Sequence, residues 1–190
     1  MTTPASHALH RYTYEEYLGY EGASELKHEY IGGEIVAMAG GSRRHSALAA
    51  NVTIALGNTR PVGSTVFQSD LRVRVLATGV ATYPDVSMVC GPTEVDPADP
   101  SGETITNPGL LVEVLSASTE QVDRVYKWQQ YQRIPSLQEY VLVSQASPRV
   151  EIYRRLSEDR WEYLDVQEGT VKLSSGATLD LAMLYADLPV

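Results

Sequence analysis

Two short apolar runs, each carrying a single acid, constrain this chain more than any other feature. The first is Tyr83-Pro84-Asp85-Val86-Ser87-Met88-Val89-Cys90 and the second is Gly109-Leu110-Leu111-Val112-Glu113-Val114-Leu115. Both are β-branched and bounded by Pro or Gly, so each reads as a buried strand. Side chains alternate along a strand, which puts Asp85 on a face with Ser87 and Val89, and Glu113 on one with Leu111 and Leu115. If the strands are neighbours, one carboxylate from each meets over a single face of the sheet. A charge inside an apolar strand is costly unless something pairs with it. Two together call for a cation, and oxygen donors of this kind suit Mg²⁺ or Mn²⁺. Lys127 follows, inside Asp123-Arg124-Val125-Tyr126-Lys127. Taken singly, an Asp after Pro opens many strands and turns, and Glu113 could pair with an arginine in an ordinary core. The ordered set of three favours a site.

At 190 residues the chain fits one domain, with no composition shift to mark a boundary; residues 1–12 carry no pattern and are expected to be loose. Hydrophobic residues at 43% and charged residues at 21% exclude a disordered chain. Cys90 is the one cysteine, which rules out an intramolecular disulfide; in its apolar strand it reads as an inert core thiol. No basic-then-apolar leader and no apolar run near ~18 residues is present, so the expected location is the cytoplasm, away from membranes. The net charge of −9 opposes binding to a polyanion, unless bound metal and a local cluster of arginines reverse the field.

Along the chain, Thr13-Tyr14-Glu15-Glu16 is a capping box opening a short helix that ends near Gly19 or Gly22. Two strand-like runs, Leu26 to Ile31 and Glu34 to Met38, flank Gly32-Gly33 and predict a hairpin. Ser42 caps a long helix from about Arg43 to Thr59, with Leu48, Val52, Ala55 and Leu56 as its buried stripe. Val66 to Leu76 alternates as one strand, with Leu71, Val73 and Val75 on one face and Asp70, Arg72 and Arg74 on the other. Residues 91–108 form a long polar loop, a length more often used as a functional flap or partner contact than as filler. Ser118 with Gln121 makes a second capping box for a helix running to about Arg133. Its inward stripe is expected to be Val122, Val125 and Tyr126, with Asp123, Lys127 and Gln130 on the flank. A strand over Glu139 to Ser144, a β-meander from Arg149 to Leu173 and a short helix at Ala182 to Ala186 complete the chain.

The order helix, strand, Pro-Asp strand, Glu strand, helix, strand resembles the core of the PD-(D/E)XK nuclease superfamily. More narrowly the chain is similar to the Uma-type putative restriction endonuclease family. The resemblance runs from about Tyr14 to Arg154 and rests on several segments in order. These are Glu29-Tyr30-Ile31-Gly32-Gly33-Glu34-Ile35, Ser69-Asp70-Leu71-Arg72-Val73, Tyr83 to Ser87, Val112 to Ser116, Asp123 to Lys127 and Ile134 to Tyr140. It implies a single α/β domain of restriction-endonuclease-like fold: a mixed central sheet flanked by helices, with an N-terminal hairpin and a C-terminal meander. It further implies Asp85 and Glu113 as ligands of Mg²⁺ or Mn²⁺, with the Val114 backbone carbonyl as a third. The sequence departs from the superfamily at Leu115, which stands where Glu-x-Lys would place its lysine. In this group the lysine has moved to the following helix, matching Lys127. A salt bridge to Asp123 is the plainer account of that lysine, worth ~0.3–0.5 kcal/mol.

Four further residues are accessory candidates. Glu29 either adds a carboxylate to the site or is a solvated hairpin residue. His45 either points into the site or caps its helix. Asp70, with Arg72 and Arg74, either touches a phosphate path or forms a polar strand face. Tyr131, one turn beyond Lys127, either flanks it or is core. The expected function is metal-dependent hydrolysis of DNA phosphodiester bonds, carried by Asp85, Glu113 and Lys127, with the lysine orienting the attacking water. Cutting both strands of a duplex favours a two-fold homodimer. Two rivals remain: a catalytically silent interaction or assembly protein of the same fold, and a metal-dependent hydrolase of RNA or a small nucleotide.

Overall fold

The computed structural model describes residues 10–38 and 40–189. Of the leader expected to be loose, residues 1–9 lie outside the described residues. Tyr12 is instead tied to the hairpin, its N–H donating to the Gly33 carbonyl at 2.8 Å. The Thr13–Glu16 capping box is formed in both directions and opens α1 (Tyr14–Ala23). The hairpin follows as β1 (His28–Ile31) and β2 (Glu34–Ala37), turning through Gly32 and Gly33 with φ of 58° and 89°. A side chain at either glycine would be strained in that left-handed backbone. Next comes α2 (Arg43–Thr59), capped by Ser42 and buried through Leu48, Val52 and Leu56.

The alternating run after α2 is not one strand. It breaks at a turn into β3 (Ser64–Gln68) and β4 (Arg72–Arg74), which belong to different sheets. Likewise β5 (Ala81–Thr82) precedes β6 (Val86–Cys90), and Asp85 stands at the entrance of β6 rather than within it. Residues 91–108 contain β7 (Thr104–Ile105), and β8 (Leu110–Leu115) and β9 (Glu139–Ser144) carry the centre of the molecule. Between them a π-helix (Val122–Lys127) runs directly into α3 (Trp128–Tyr131). The tail comprises β10 (Val150–Ser157), β11 (Arg160–Val166), β12 (Thr170–Lys172), β13 (Thr178–Asp180) and α4 (Leu181–Leu184).

The architecture is mixed α/β. A six-stranded sheet of order β11-β10-β9-β8-β6-β3 is antiparallel except for the parallel β8–β9 pair. A parallel pair needs a long crossover, and the π-helix with α3 supplies it. Apolar residues on one face of this sheet meet α2 and α4 through Leu48, Val52, Leu56, Met88, Val112 and Leu184. On the other face Leu111, Leu115, Leu142 and Tyr140 pack with Tyr131, Ile134 and Leu137. A second sheet, β2-β1-β5-β4-β7, joins that core through Val73, Val75 and Ile105, and β12–β13 form a separate ribbon.

Three expectations fail here. Cys90 is exposed at the last position of β6, because the strand's core face ends at Val89. Ser118 makes no capping box: Ser116 accepts the Thr119 N–H instead, and the helix has no side-chain cap. The 91–108 loop is no free flap. Asp99 and Asp96 within it are latched to Arg72 and Arg74 of β4, at 2.8 and 2.7 Å. Among the described residues, no helix is long and apolar enough to cross a membrane.

Candidate active site

Asp85, Glu113 and Lys127 are brought together at one end of the six-stranded sheet, in a cleft of about 550 Å³. The antiparallel β6–β8 pairing sets the two acids side by side, with Val86 opposite Val112. The Val114 N–H donates to Asp85 Oδ2 at 2.7 Å, so the strand edge itself orients that carboxylate. His45, in the first turn of α2, brings Nε2 to 3.1 Å from the same oxygen. That contact with Asp85 is the main reason the imidazole holds its proton more tightly than usual; burial opposes it, and the Asp85 and Asp123 charges and the Val114 backbone add to it.

Around Lys127 the arrangement is denser. Its ammonium lies 3.0 Å from Glu113 Oε1, 3.2 Å from Asp123 Oδ1 and 3.3 Å from Glu29 Oε1. Tyr131 donates to Glu113 Oε1 at 3.0 Å, and its own oxygen meets Thr82 Oγ1 at 2.9 Å. Of the three ion pairs only the one to Glu113 has hydrogen-bond geometry, so Glu29 Oε1 and Asp123 Oδ1 are buried without a hydrogen bond. Burial raises the Glu113 pKa well above the usual carboxylate range; Lys127 opposes this, while Asp123, Asp85 and Glu29 reinforce it. Burial alone would lower the Lys127 pKa, but Glu113, Glu29 and Asp123 together hold it well above the ordinary lysine value. The Tyr131 hydroxyl is pushed up by burial and then by Glu113, so it remains a donor.

The π-helix reverses the predicted stripe. Val122 and Val125 are exposed at 42% and 51%, whereas Asp123 and Lys127 are buried. An α-helix over-rotates slightly from i to i+4, while a π turn, with i→i+5 hydrogen bonds, under-rotates. One following the other lines up Asp123, Lys127 and Tyr131 in a single row toward the sheet. The row points inward because Glu113 and Glu29 await an ammonium there; no valine could answer two buried carboxylates.

Of the accessory candidates, Glu29, His45 and Tyr131 reach the cluster, and the Asp123 pairing of Lys127 exists alongside its contacts to Glu113 and Glu29. Asp70 does not reach it: its side chain is 86% exposed and bonds Lys27. Arg72 is not a polar strand face either, being buried among Tyr17, Tyr83, Thr104 and Asp99. Asp123 is not among the site residues expected from sequence, where it is a salt-bridge partner of Lys127 on the helix flank and the start of the family-like Asp123–Lys127 segment; those are the signals that could have found it. Gln145, which donates to the Leu115 carbonyl at the end of β8, carries no signal in the sequence.

A divalent cation fits this donor set by charge and by chemistry. Glu29, Glu113 and Asp123 crowd one ammonium, three carboxyl groups against a single cation, and two of their buried oxygens lack a hydrogen bond. Among the described residues, however, no three His, Cys, Asp or Glu side chains stand together at ligand spacing. Glu113 is turned toward Lys127, so sharing an ion with Asp85 requires its carboxylate to rotate. Among the described residues, no arginine lines the cleft.

Residues 14–186 match the family model Uma2, described as "Putative restriction endonuclease". An uncharacterized protein of Synechocystis sp. is 40% identical over 154 residues, 80% of this chain and 79% of that one. A second from the same organism is 35% identical over 153 residues, 78% of this chain and 84% of that one. The fold is similar to the crystal structure of a putative nuclease belonging to DUF820 from Anabaena variabilis. The TM-score is 0.66 at 21% identity, covering 86% of this chain and 92% of that one.

Proposed function

The chain belongs to the Uma2 family, described as putative restriction endonucleases, and on that premise we propose that it is a metal-dependent endonuclease hydrolysing DNA phosphodiester bonds. The observation that carries the reading is the convergence of Asp85, Glu113 and Lys127 in one cleft. Asp85, Glu113 and the Val114 carbonyl would hold Mg²⁺ or Mn²⁺. When bound, such an ion supplies Lewis-acid polarisation of the phosphate and a bound water of lowered pKa.

The chain's own residues do the rest. Lys127, with hydrogen-bond geometry to Glu113 alone, keeps donor capacity for the attacking water and for charge developing on the phosphate. The Val114 N–H fixes the Asp85 carboxylate, while Tyr131 and Lys127 hold that of Glu113, which would turn toward Asp85 to share the ion. With no arginine along the cleft among the described residues and a net charge of −9, the neutralising charge for the backbone would come from Lys127 and the bound metal. A duplex is cut on both strands by a two-fold homodimer, testable by sedimentation at tens of micromolar, about the range where stable pairs persist.

The test is cleavage of supercoiled DNA at low salt with Mg²⁺ or Mn²⁺. The wild-type protein nicks or linearises it, and Lys127→Ala and Asp85→Asn do not. Wild-type protein that binds the metal yet leaves DNA intact while cutting RNA would redirect the substrate. Neither cleavage nor metal binding would leave the family's fold as an interaction module.

A further inference from the structure

His45 is positioned by more contacts than a residue at the start of a helix needs. Ser42 Oγ accepts the His45 N–H at 3.0 Å and donates to Gln145 Oε1 at 2.9 Å. The Gln145 side-chain amide donates in turn to the Leu115 carbonyl at 2.7 Å, one residue beyond Val114. Arg44 adds a second tie, from Nε to the Gln145 carbonyl, also at 2.7 Å. The first turn of α2 is thereby strapped to the end of β8. Behind the ring there is no slack: a Cβ added at Gly41 would stand 2.8 Å from His45 Nδ1. The result is Nε2 held 3.1 Å from Asp85 Oδ2, the oxygen that the Val114 N–H also engages.

Resting on the metal-dependent reading above, we infer that His45 is a ligand of the bound ion through Nε2, and that this nitrogen makes the site take Mn²⁺ in preference to Mg²⁺. Mg²⁺ is a hard ion that favours carboxylate, carbonyl and water oxygens. An imidazole donor suits first-row transition ions better, whereas oxygen donors alone accept both. The donors here are the Asp85 and Glu113 carboxylates, the Val114 carbonyl and one imidazole. The strap through Ser42 and Gln145 explains why a helix-start residue is so tightly placed against a strand edge.

The same contact admits an opposite account, in which the imidazole is a resident cation that pairs with Asp85 and competes with the ion. The two accounts predict opposite results for His45→Ala. A lost ligand lowers Mn²⁺ affinity by on the order of 10–100-fold, the range seen even for ligand-supporting residues, with Mg²⁺ affinity changed much less. A lost competitor raises the affinity for both ions.

The experiment titrates the full chain with Mn²⁺, following free ion by electron paramagnetic resonance, then displaces it with Mg²⁺. Pulsed spectra of the Mn²⁺ complex report directly bonded nitrogen. The expected result is nitrogen coupling in wild type, absent in His45→Ala, with the Mn²⁺ preference reduced. Gly41→Ala, which keeps the imidazole but displaces the ring, is expected to weaken Mn²⁺ selectively. Equal melting in chelator shows the variants folded; should His45→Ala unfold, the wild-type nitrogen signal decides. Mn²⁺ bound without nitrogen coupling, or bound as tightly or more tightly by folded His45→Ala, overturns this inference and leaves the metal-dependent reading standing. Binding of neither ion by wild type overturns both.

Discussion

Arg72 and Lys127 are both buried cations, 3% and 7% exposed, yet they sit in opposite company. Arg72 faces one carboxylate, Asp99, and its remaining donors go to Thr104, Tyr83 and Tyr17. Asp99 in turn accepts from Thr104 and from both the N–H and hydroxyl of Ser101. Charge is balanced and the lone pairs are answered, which is the condition for burying an ion pair without a large penalty. Lys127 faces three carboxylates, two of which keep a buried oxygen without a hydrogen bond. The first cluster latches a loop. The second crowds three carboxyl groups onto one cation beside an open cleft, an arrangement common where chemistry is done.

The contrast can be broken most directly at Lys127. Lys127→Met leaves three buried acids without a cation and should cost about 3–5 kcal/mol in denaturant unfolding at neutral pH. A cost under about 1 kcal/mol would mean that protons already balance the cluster. Divalent ion should act only on this side of the molecule: at about 100 times its dissociation constant, Mn²⁺ should stabilise by about 2.7 kcal/mol. Asp85→Asn should remove that rise in melting, whereas a rise that survives it would place the ion elsewhere.

On the balanced side, Asp99→Asn should destabilise by about 2 kcal/mol at pH 7. Burial pushes the Asp99 carboxyl up, but hydrogen bonds from Thr104, Ser101 and Arg72 outweigh it and hold the pKa at about 2. A depressed folded pKa stabilises above the unfolded value, 3.8, and that contribution is lost as pH falls through about 2. The gap between wild type and Asp99→Asn should therefore close over that window, and urea titrations at stepped pH read it. The smallest effect has the opposite sign. Glu29→Gln removes one acid from the overloaded cluster and, by relieving repulsion among the three carboxyl groups, should stabilise by about 1 kcal/mol. A loss of that size would show that Glu29 is needed to anchor Lys127.

The sequence made the strands legible where burial alone decides, as at Glu139–Ser144, and made α2 legible through its Ser42 cap and Leu48-Val52-Leu56 stripe. It failed where a tertiary partner overrides local pattern. Arg72 looked solvated because nothing near it in the chain announces Asp99, 27 residues away. Val122 and Val125 looked buried because apolar spacing carries no record of the carboxylates waiting at Glu113 and Glu29. The pairing of Asp85 with Glu113 was readable from two acidic strands. The part played by Gln145 was not, since a polar residue after a strand has no distinguishing pattern.

The π-helix at Val122–Lys127 has a consequence for how relatives of this chain can diverge in length. A π turn holds one residue more than the α-helical path it replaces, so the segment can absorb the loss of a residue and remain helical. Losing one residue between Asp123 and Lys127 would convert the π turn to an α turn and keep its ends joined, yet leave the two side chains three α-helical positions apart, about 60° out of line. A substitution at Lys127 removes a group; a deletion here would keep every group and misalign one. A deletion in this six-residue stretch would therefore break the row of Asp123, Lys127 and Tyr131 while keeping the fold.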